Sequence, residues 1–189
     1  ALQELVERWA GATAPWWDAD PQGACLFGAN LQGVSLMYAK LEGADLIGAN
    51  LQGAGLLSAN LQGADLCLAN LQGAHLRSSN LQGAHLLGTN LQGAELSMAN
   101  LQDADLCLLA NLQDAILLDA NLQGAILLIG KKWGYFAAGA KLERANLQGA
   151  KLQGVDLSTC TLSHCYLSGA WLDRTRLRRE QLGGAAHGP

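Results

Sequence analysis

Leucine returns at every fifth position from Leu26 through Leu31, Leu36, Leu41, Leu46 and Leu51 as far as Leu106, and alanine stands two residues before nearly every one of them. Polar residues or glycine fill most of the remaining places. A spacing of five matches neither the 3.6-residue turn of a helix nor the two-residue alternation of a strand. A helix would scatter these leucines around its axis, and a flat strand would send them to opposite faces. The spacing is satisfied if the chain bends once per pentad and returns Leu and Ala to the inside at each bend. Four bends close a square coil of about 20 residues, and coils of this kind stack about 4.8 Å apart. With leucine as position i, the pattern predicts i and i−2 inside and i−1, i+1 and i+2 in water. Alanine at i−2 keeps so narrow an interior from overfilling.

A second rhythm lies over the first. The string Asn-Leu-Gln-Gly-Ala, or a near copy, places Asn50, Asn60, Asn70, Asn80, Asn90 and Asn100 at i−1 every ten residues. Ten residues are half a coil, so two opposite walls are nearly constant and the other two vary. Gly33, Gly53, Gly63, Gly73, Gly83 and Gly93 fall at i+2 on the constant walls. That is the third residue of the turn, where a type II turn needs a positive φ. Asp103 and Asp114 replace glycine there, and Asp tolerates that conformation better than most residues. Met37-Tyr38, Leu57-Ser58 and Cys67-Leu68 lack the glycine, which predicts other turn types at the variable corners.

Ala29-Asn30-Leu31, Ala44-Asp45-Leu46, Ala64-Asp65-Leu66, Ala104-Asp105-Leu106 and Ala145-Asn146-Leu147 carry the motif Ala-(Asp/Asn)-Leu-X-X. In this the chain resembles the pentapeptide-repeat family over roughly residues 24–182. The resemblance implies an all-β fold, a right-handed quadrilateral parallel β-helix; the hand comes from the resemblance, not from the spacing. The pentads would make nearly eight coils, a rod of about 35–40 Å.

The departures from the repeat suggest a division of the chain. Residues 1–23 read as an N-terminal capping helix and linker, with Leu2, Leu5, Val6 and Trp9 on one face and Gly11 as its stop. Such a helix would cover the open first coil. The alternative is an amphipathic helix for a membrane or a partner, and Glu4 and Glu7 against Arg8 alone argue against anionic lipid. Because the first residue is Ala1, a processed N-terminus is compatible with the chain. Repeats occupy 24–129, with one extra residue in Cys107-Leu108-Leu109 that reads as a bulged corner. Residues 130–139 break the pattern. They read as a loop around Gly130–Trp133 with Phe136 in a core position, or as a junction between two repeat segments. A second segment spans 140–182, and 183–189 reads as a disordered tail.

Charge is unevenly spread: residues 1–129 hold twelve acids and three bases, and 130–189 hold four acids and nine bases, among them Arg174, Arg176, Arg178 and Arg179. This basic end reads as a solvated terminus or as a site for an anionic partner. No apolar run approaches a membrane span. Cys160 and Cys165 take the alanine position and read as core residues. Cys67 and Cys107 point outward two coils apart, about 10 Å and too far for a disulfide. Reduced cysteines point to the cytoplasm.

Candidate chemistry thins out once the coil is drawn. His75 and His85 fall on opposite walls. His164 points out while Cys160 and Cys165 point in, so they form no metal cluster. No nucleophile–base grouping or phosphate loop is found, and no cofactor is implied. What remains is surface: an acidic row Asp45, Asp65 and Asp105, with His85 within it, beside a ridge Phe27, Ile47, Leu68, Leu87 and Leu108 fitted to a partner protein or to self-association. The expectation is a non-enzymatic scaffold without membrane or direct nucleic-acid contact. The alternative is a DNA mimic that binds a type II topoisomerase, DNA gyrase, as the resemblance to quinolone-resistance members implies.

Overall fold

A computed structural model describes residues 22–107, 110–127 and 140–182. The chain winds as a quadrilateral parallel β-helix. Each i−1 residue forms a parallel bridge with the residue one coil on: Cys25 with Asp45, Asn30 with Asn50, Ser35 with Gly55 and Lys40 with Asn60. Those four pairs start four walls. An acidic wall holds Cys25, Asp45, Asp65, His85, Asp105 and Ile126, and a mixed wall opposite it holds Ser35, Gly55, His75, Glu95 and Ile116. Between them stand two asparagine walls, Asn30 to Asn111 and Lys40 to Asn121. The leucines and alanines from Leu31 to Leu127 line a dry column, nearly all of them fully buried.

In the pentad Asp45–Ala49 every backbone amide finds a partner, which is what a buried solenoid backbone requires. The Leu26 N–H donates to the Asp45 carbonyl in the next coil at 2.7 Å, the Gly28 N–H to the Ile47 carbonyl at 2.9 Å, and the Asp45 N–H back to the Ala24 carbonyl at 2.9 Å. The Ala29 N–H closes its own corner on the Leu26 carbonyl at 3.0 Å. The i+1 amide is left, and where Asn or Asp stands at i−1 its side chain takes it: the Ile47 N–H donates to Asp45 Oδ1 at 3.2 Å and the Gln52 N–H to Asn50 Oδ1 at 3.2 Å. Asn and Asp recur at i−1 because their short side chain places an acceptor there.

The expectation of different turns at the variable corners is corrected. Tyr38, Ser58, Leu68, Ser78 and Met98 hold φ between 53° and 60°, the same left-handed value as the glycines. Stacking is the reason. Leu68 donates its N–H to the Leu87 carbonyl at 2.8 Å, and a corner on any other path would lose this bond to its neighbour. Thr159 departs from the rule. Its corner closes through the Cys160 N–H on the Leu157 carbonyl at 3.0 Å, yet this β-branched residue stays outside the left-handed region.

Two interruptions leave the columns in register, although on the acidic wall Ile126 and Asp156 form no bridge across the second. Beyond Cys107 the bridge step lengthens by one residue, Asn90 to Asn111, and beyond Leu127 it becomes thirty, Asn111 to Lys141. Ala140 donates its N–H to the Leu127 carbonyl at 3.3 Å, as the flanks of an ordinary corner do. Arg144 then pairs with Asp114 across this join, Nη2 to Oδ2 at 2.7 Å. At the C-terminal end a single turn, α1 (Arg179–Leu182), folds over the last coil. Gln181 Nε2 donates to the Leu157 and Cys160 carbonyls, both at 2.8 Å, and so covers acceptors that no further coil would reach. The N-terminal helix, Phe136 with the 130–139 segment and the 183–189 tail lie outside the described residues.

Candidate partner-binding surface

The asparagine walls are built of a continuous amide ladder. Asn50 Nδ2 donates to Asn30 Oδ1, Asn70 to Asn50, Asn90 to Asn70 and Asn111 to Asn90, at 3.1–3.3 Å. Across the rod Asn80, Asn100 and Asn121 repeat this on Asn60, Asn80 and Asn100 at 3.0–3.1 Å. Each amide therefore caps its own corner, accepts from one neighbour and donates to the other. Such walls have little hydrogen-bonding capacity left to offer a partner.

The other two walls have no such ladder. On the acidic wall Asp45, Asp65 and Asp105 share one column, with His85 bridged to both Asp65 and Asp105. Each carboxylate spends one oxygen on its own corner, Asp65 on the Cys67 N–H at 3.0 Å and Asp105 on the Cys107 N–H at 3.1 Å. An Asp cannot donate, so the column is one of acceptors, with Asp45 Oδ2 also taking the Cys25 thiol at 3.9 Å and Asp105 Oδ1 the Cys107 thiol.

The corner leaving this wall carries the apolar ridge. Phe27 and Leu68 are exposed, at 63% and 68%. Ile47, Cys67 and Leu87 are half-buried, and Cys107 is buried at 6%, a correction to the outward, exposed position expected for it. Turns stacked one rung apart cover one another's second residues, which the pentad rule ignores. Leu108 lies outside the described residues. All five cysteines are free. Burial first, and then the neighbouring carboxylate, push the thiols up, Cys67 to about 11 and Cys107 to about 12.

His75 bridges Gly55 and Glu95 on the mixed wall, so the structure keeps it on the side opposite His85. Cys160 and Cys165 are buried while His164 is exposed, and Cys165 Sγ donates to the Leu142 carbonyl at 2.6 Å. Among the described residues no group of three potential ligands could hold a metal ion, and no helix is long and apolar enough to cross a membrane.

Sequence reasoning missed a second apolar corner, the one leaving the mixed wall, with Met37, Tyr38, Met98 and Leu118 exposed. The signal was present: Tyr38 and Met98 stand where glycine is the relaxed choice, but Tyr38 was read only as a marker of turn type and Met98 was passed over.

The family model for pentapeptide repeats matches residues 24–66, 69–106 and 140–179 in eight copies. The chain belongs to the pentapeptide-repeat family. The right-handed sense of the coil comes with that membership. Among solved structures this family member is similar to QnrB1, a plasmid-mediated fluoroquinolone resistance protein, at 21% identity over 87% of this chain and 91% of that one, TM-score 0.47. It is similar to HetL from the cyanobacterium Nostoc sp. strain PCC 7120, a pentapeptide-repeat protein involved in heterocyst differentiation regulation, at 30% identity over 82% and 85%, TM-score 0.23. Rfr23 from the cyanobacterium Cyanothece 51142 matches at 27% identity over 82% and 88%, TM-score 0.24. No curated protein matches the chain.

Proposed function

We propose that this pentapeptide-repeat rod is a non-enzymatic, cytoplasmic scaffold that holds a partner protein along the ridge beside its acidic wall. Leu68 is the observation that carries the reading. It is 68% exposed and held at φ 58°, a conformation that costs a non-glycine residue about 1 kcal/mol. The side chain fills no core, and the corner would close more easily without it. The stacked corners impose that φ here as at Tyr38, Ser58, Ser78 and Met98; what marks Leu68 is a large apolar side chain left in solvent where glycine would be relaxed. Phe27, Ile47 and Leu87 continue the same edge, Leu108 extends it in sequence, and Asp45, Asp65 and Asp105 run beside it. An apolar partner segment with basic flanks fits this edge. The raised thiols of Cys67 and Cys107 speak against nucleophilic chemistry there. The proposal involves no cofactor, membrane or direct nucleic-acid contact.

A binder of DNA gyrase is the second reading, and the carboxylate column is what favours it. The column is short for a phosphate mimic, since His85 interrupts it and Ile126 ends it, and the neighbouring walls are neutral amide.

Affinity capture from the source cell, run in parallel with wild type and Phe27→Ser/Leu68→Gly, tests the first reading. A protein retained by wild type and depleted about tenfold by the variant is expected; equal recovery removes the ridge. Supercoiling by purified gyrase at micromolar protein tests the second, and an unaffected rate removes it.

A further inference from the structure

One side of the rod reverses its charge along the axis. Within residues 22–107 the acidic wall and the corner leading into it present Glu42, Asp45, Asp65, Asp103 and Asp105 and no lysine or arginine. On the last coil the same side presents Arg174 in the leading corner, Arg176 on the wall, and Arg178 and Arg179 beyond it. Asp156, Asp173 and Glu180 accompany these arginines and leave the local balance positive. The Arg174 and Arg176 side chains remain 88% and 80% exposed, held only by contacts of 3.8 Å to Asp173 and 3.5 Å to Asp156. Trp171, 61% exposed and bridged to Lys151, stands on the adjoining wall.

We infer that this side is the contact for a second copy of the chain, laid alongside and antiparallel. The aspartates are those beside the ridge, so a ridge partner and a second copy would compete for them, but the inference rests on the charge reversal and not on the ridge partner. Parallel copies would set carboxylates against carboxylates. Antiparallel copies set each acidic stretch against the other's arginines, twice over, in the closed two-fold arrangement that most homodimers adopt. The rung count supports a definite register. With Arg176 of one copy opposite Asp65 of the other, His85 meets Asp156 and Asp105 meets Ile126, and no like charges face each other on the wall. Arg178 and Arg179 then extend toward Asp45. Because the two rods share one rung spacing, the match persists along the whole overlap.

Exposed charge pairs are individually weak and screened, so the pairing is expected to be salt-sensitive. Sedimentation equilibrium of the full chain tests it, with Asp45→Asn/Asp65→Asn/Asp105→Asn and Arg174→Gln/Arg178→Gln/Arg179→Gln as variants. Asn keeps the corner cap, as Asn50 does on its own wall, so the first variant should melt no lower than wild type does. Wild type should form a two-copy species at roughly 100 µM protein in about 0.05 M salt, weakened about tenfold or more in about 0.5 M salt, where the screening length falls to roughly 4 Å. Each variant should weaken pairing about tenfold. An equimolar mixture of the two should pair more tightly than either alone, because one acid-to-base contact is restored. A wild type that stays a single copy at low salt, variants that pair as wild type does, or a mixture no tighter than its components would each overturn the proposal.

Discussion

The asparagine walls and the acidic wall share one backbone but differ in what their i−1 side chains can do. Asn80 caps the Gln82 N–H at 3.3 Å, donates to Asn60 at 3.0 Å and accepts from Asn100 at 3.1 Å. Asp65 caps the Cys67 N–H at 3.0 Å and, having no proton to give, can continue no ladder. An amide ladder needs Asn at successive rungs, whereas the other walls tolerate at i−1 even Gly55, Ile116 and Ile126, which offer no side-chain acceptor. The constant walls therefore hold the coils together, and the variable walls carry the surface on which a partner could be recognised.

The largest expected effect should leave that comparison untouched. Leu76 and Leu81 are both fully buried, one behind the mixed wall and one behind an asparagine wall. Leu76→Ala and Leu81→Ala should each cost about 3–5 kcal/mol in chemical denaturation, with no difference by wall. The outer positions should separate the walls. Asn80→Ala removes a cap and two ladder bonds and is expected to cost about 2–3 kcal/mol, whereas Asp65→Ala loses one cap and about 1 kcal/mol. Equal losses would sink the distinction.

Corner substitutions sharpen it further. Gly53→Ala meets nothing and should cost about 1 kcal/mol for its φ of 64° alone, and Gly124→Ala, at φ 73°, should cost about the same once the flexible Asp103 carboxylate turns aside. In the other direction Leu68→Gly relaxes φ at an exposed site and should raise stability by about 0.5–1 kcal/mol. The smallest effect concerns the join at Leu127–Ala140. The side-chain bonds from Arg144 hold the Asp114 carboxyl below its ordinary value of 3.8. The folded carboxyl thus binds its proton less tightly than the unfolded one. Stability from this pair is fully present above that ordinary value and is lost as pH falls through and below it. Arg144→Gln should flatten the acid limb of a melting-temperature profile, and an unchanged limb would show the pair to be inert.

Much of the architecture was legible because a period of five admits few solutions. Leu31 through Leu127 and the alanines before them sit where the spacing put them, as do His75 and His85 on opposite walls. The corners were less legible. Reading Tyr38, Ser58 and Leu68 one residue at a time argued against a left-handed turn, but the path of each corner is imposed by the corners above and below it. Burial of Cys107 escaped for the same reason, since its cover comes from the stack and not from its own pentad. The recurrence of Asn every ten residues already allows amide ladders between coils, and the structure brings Asn30, Asn50 and Asn70 into one such line. The cap by Gln181 was hidden because the last pentad no longer repeats.

Bridges that step by twenty, twenty-one or thirty residues without slipping the columns make the corners points where foreign sequence can be spliced in. A molecule assembled this way can be lengthened by whole windings, or given an appendage at one bend, while every other bend keeps its neighbours. Size and ornament then become separate choices, each open to engineering without redesign of the rest.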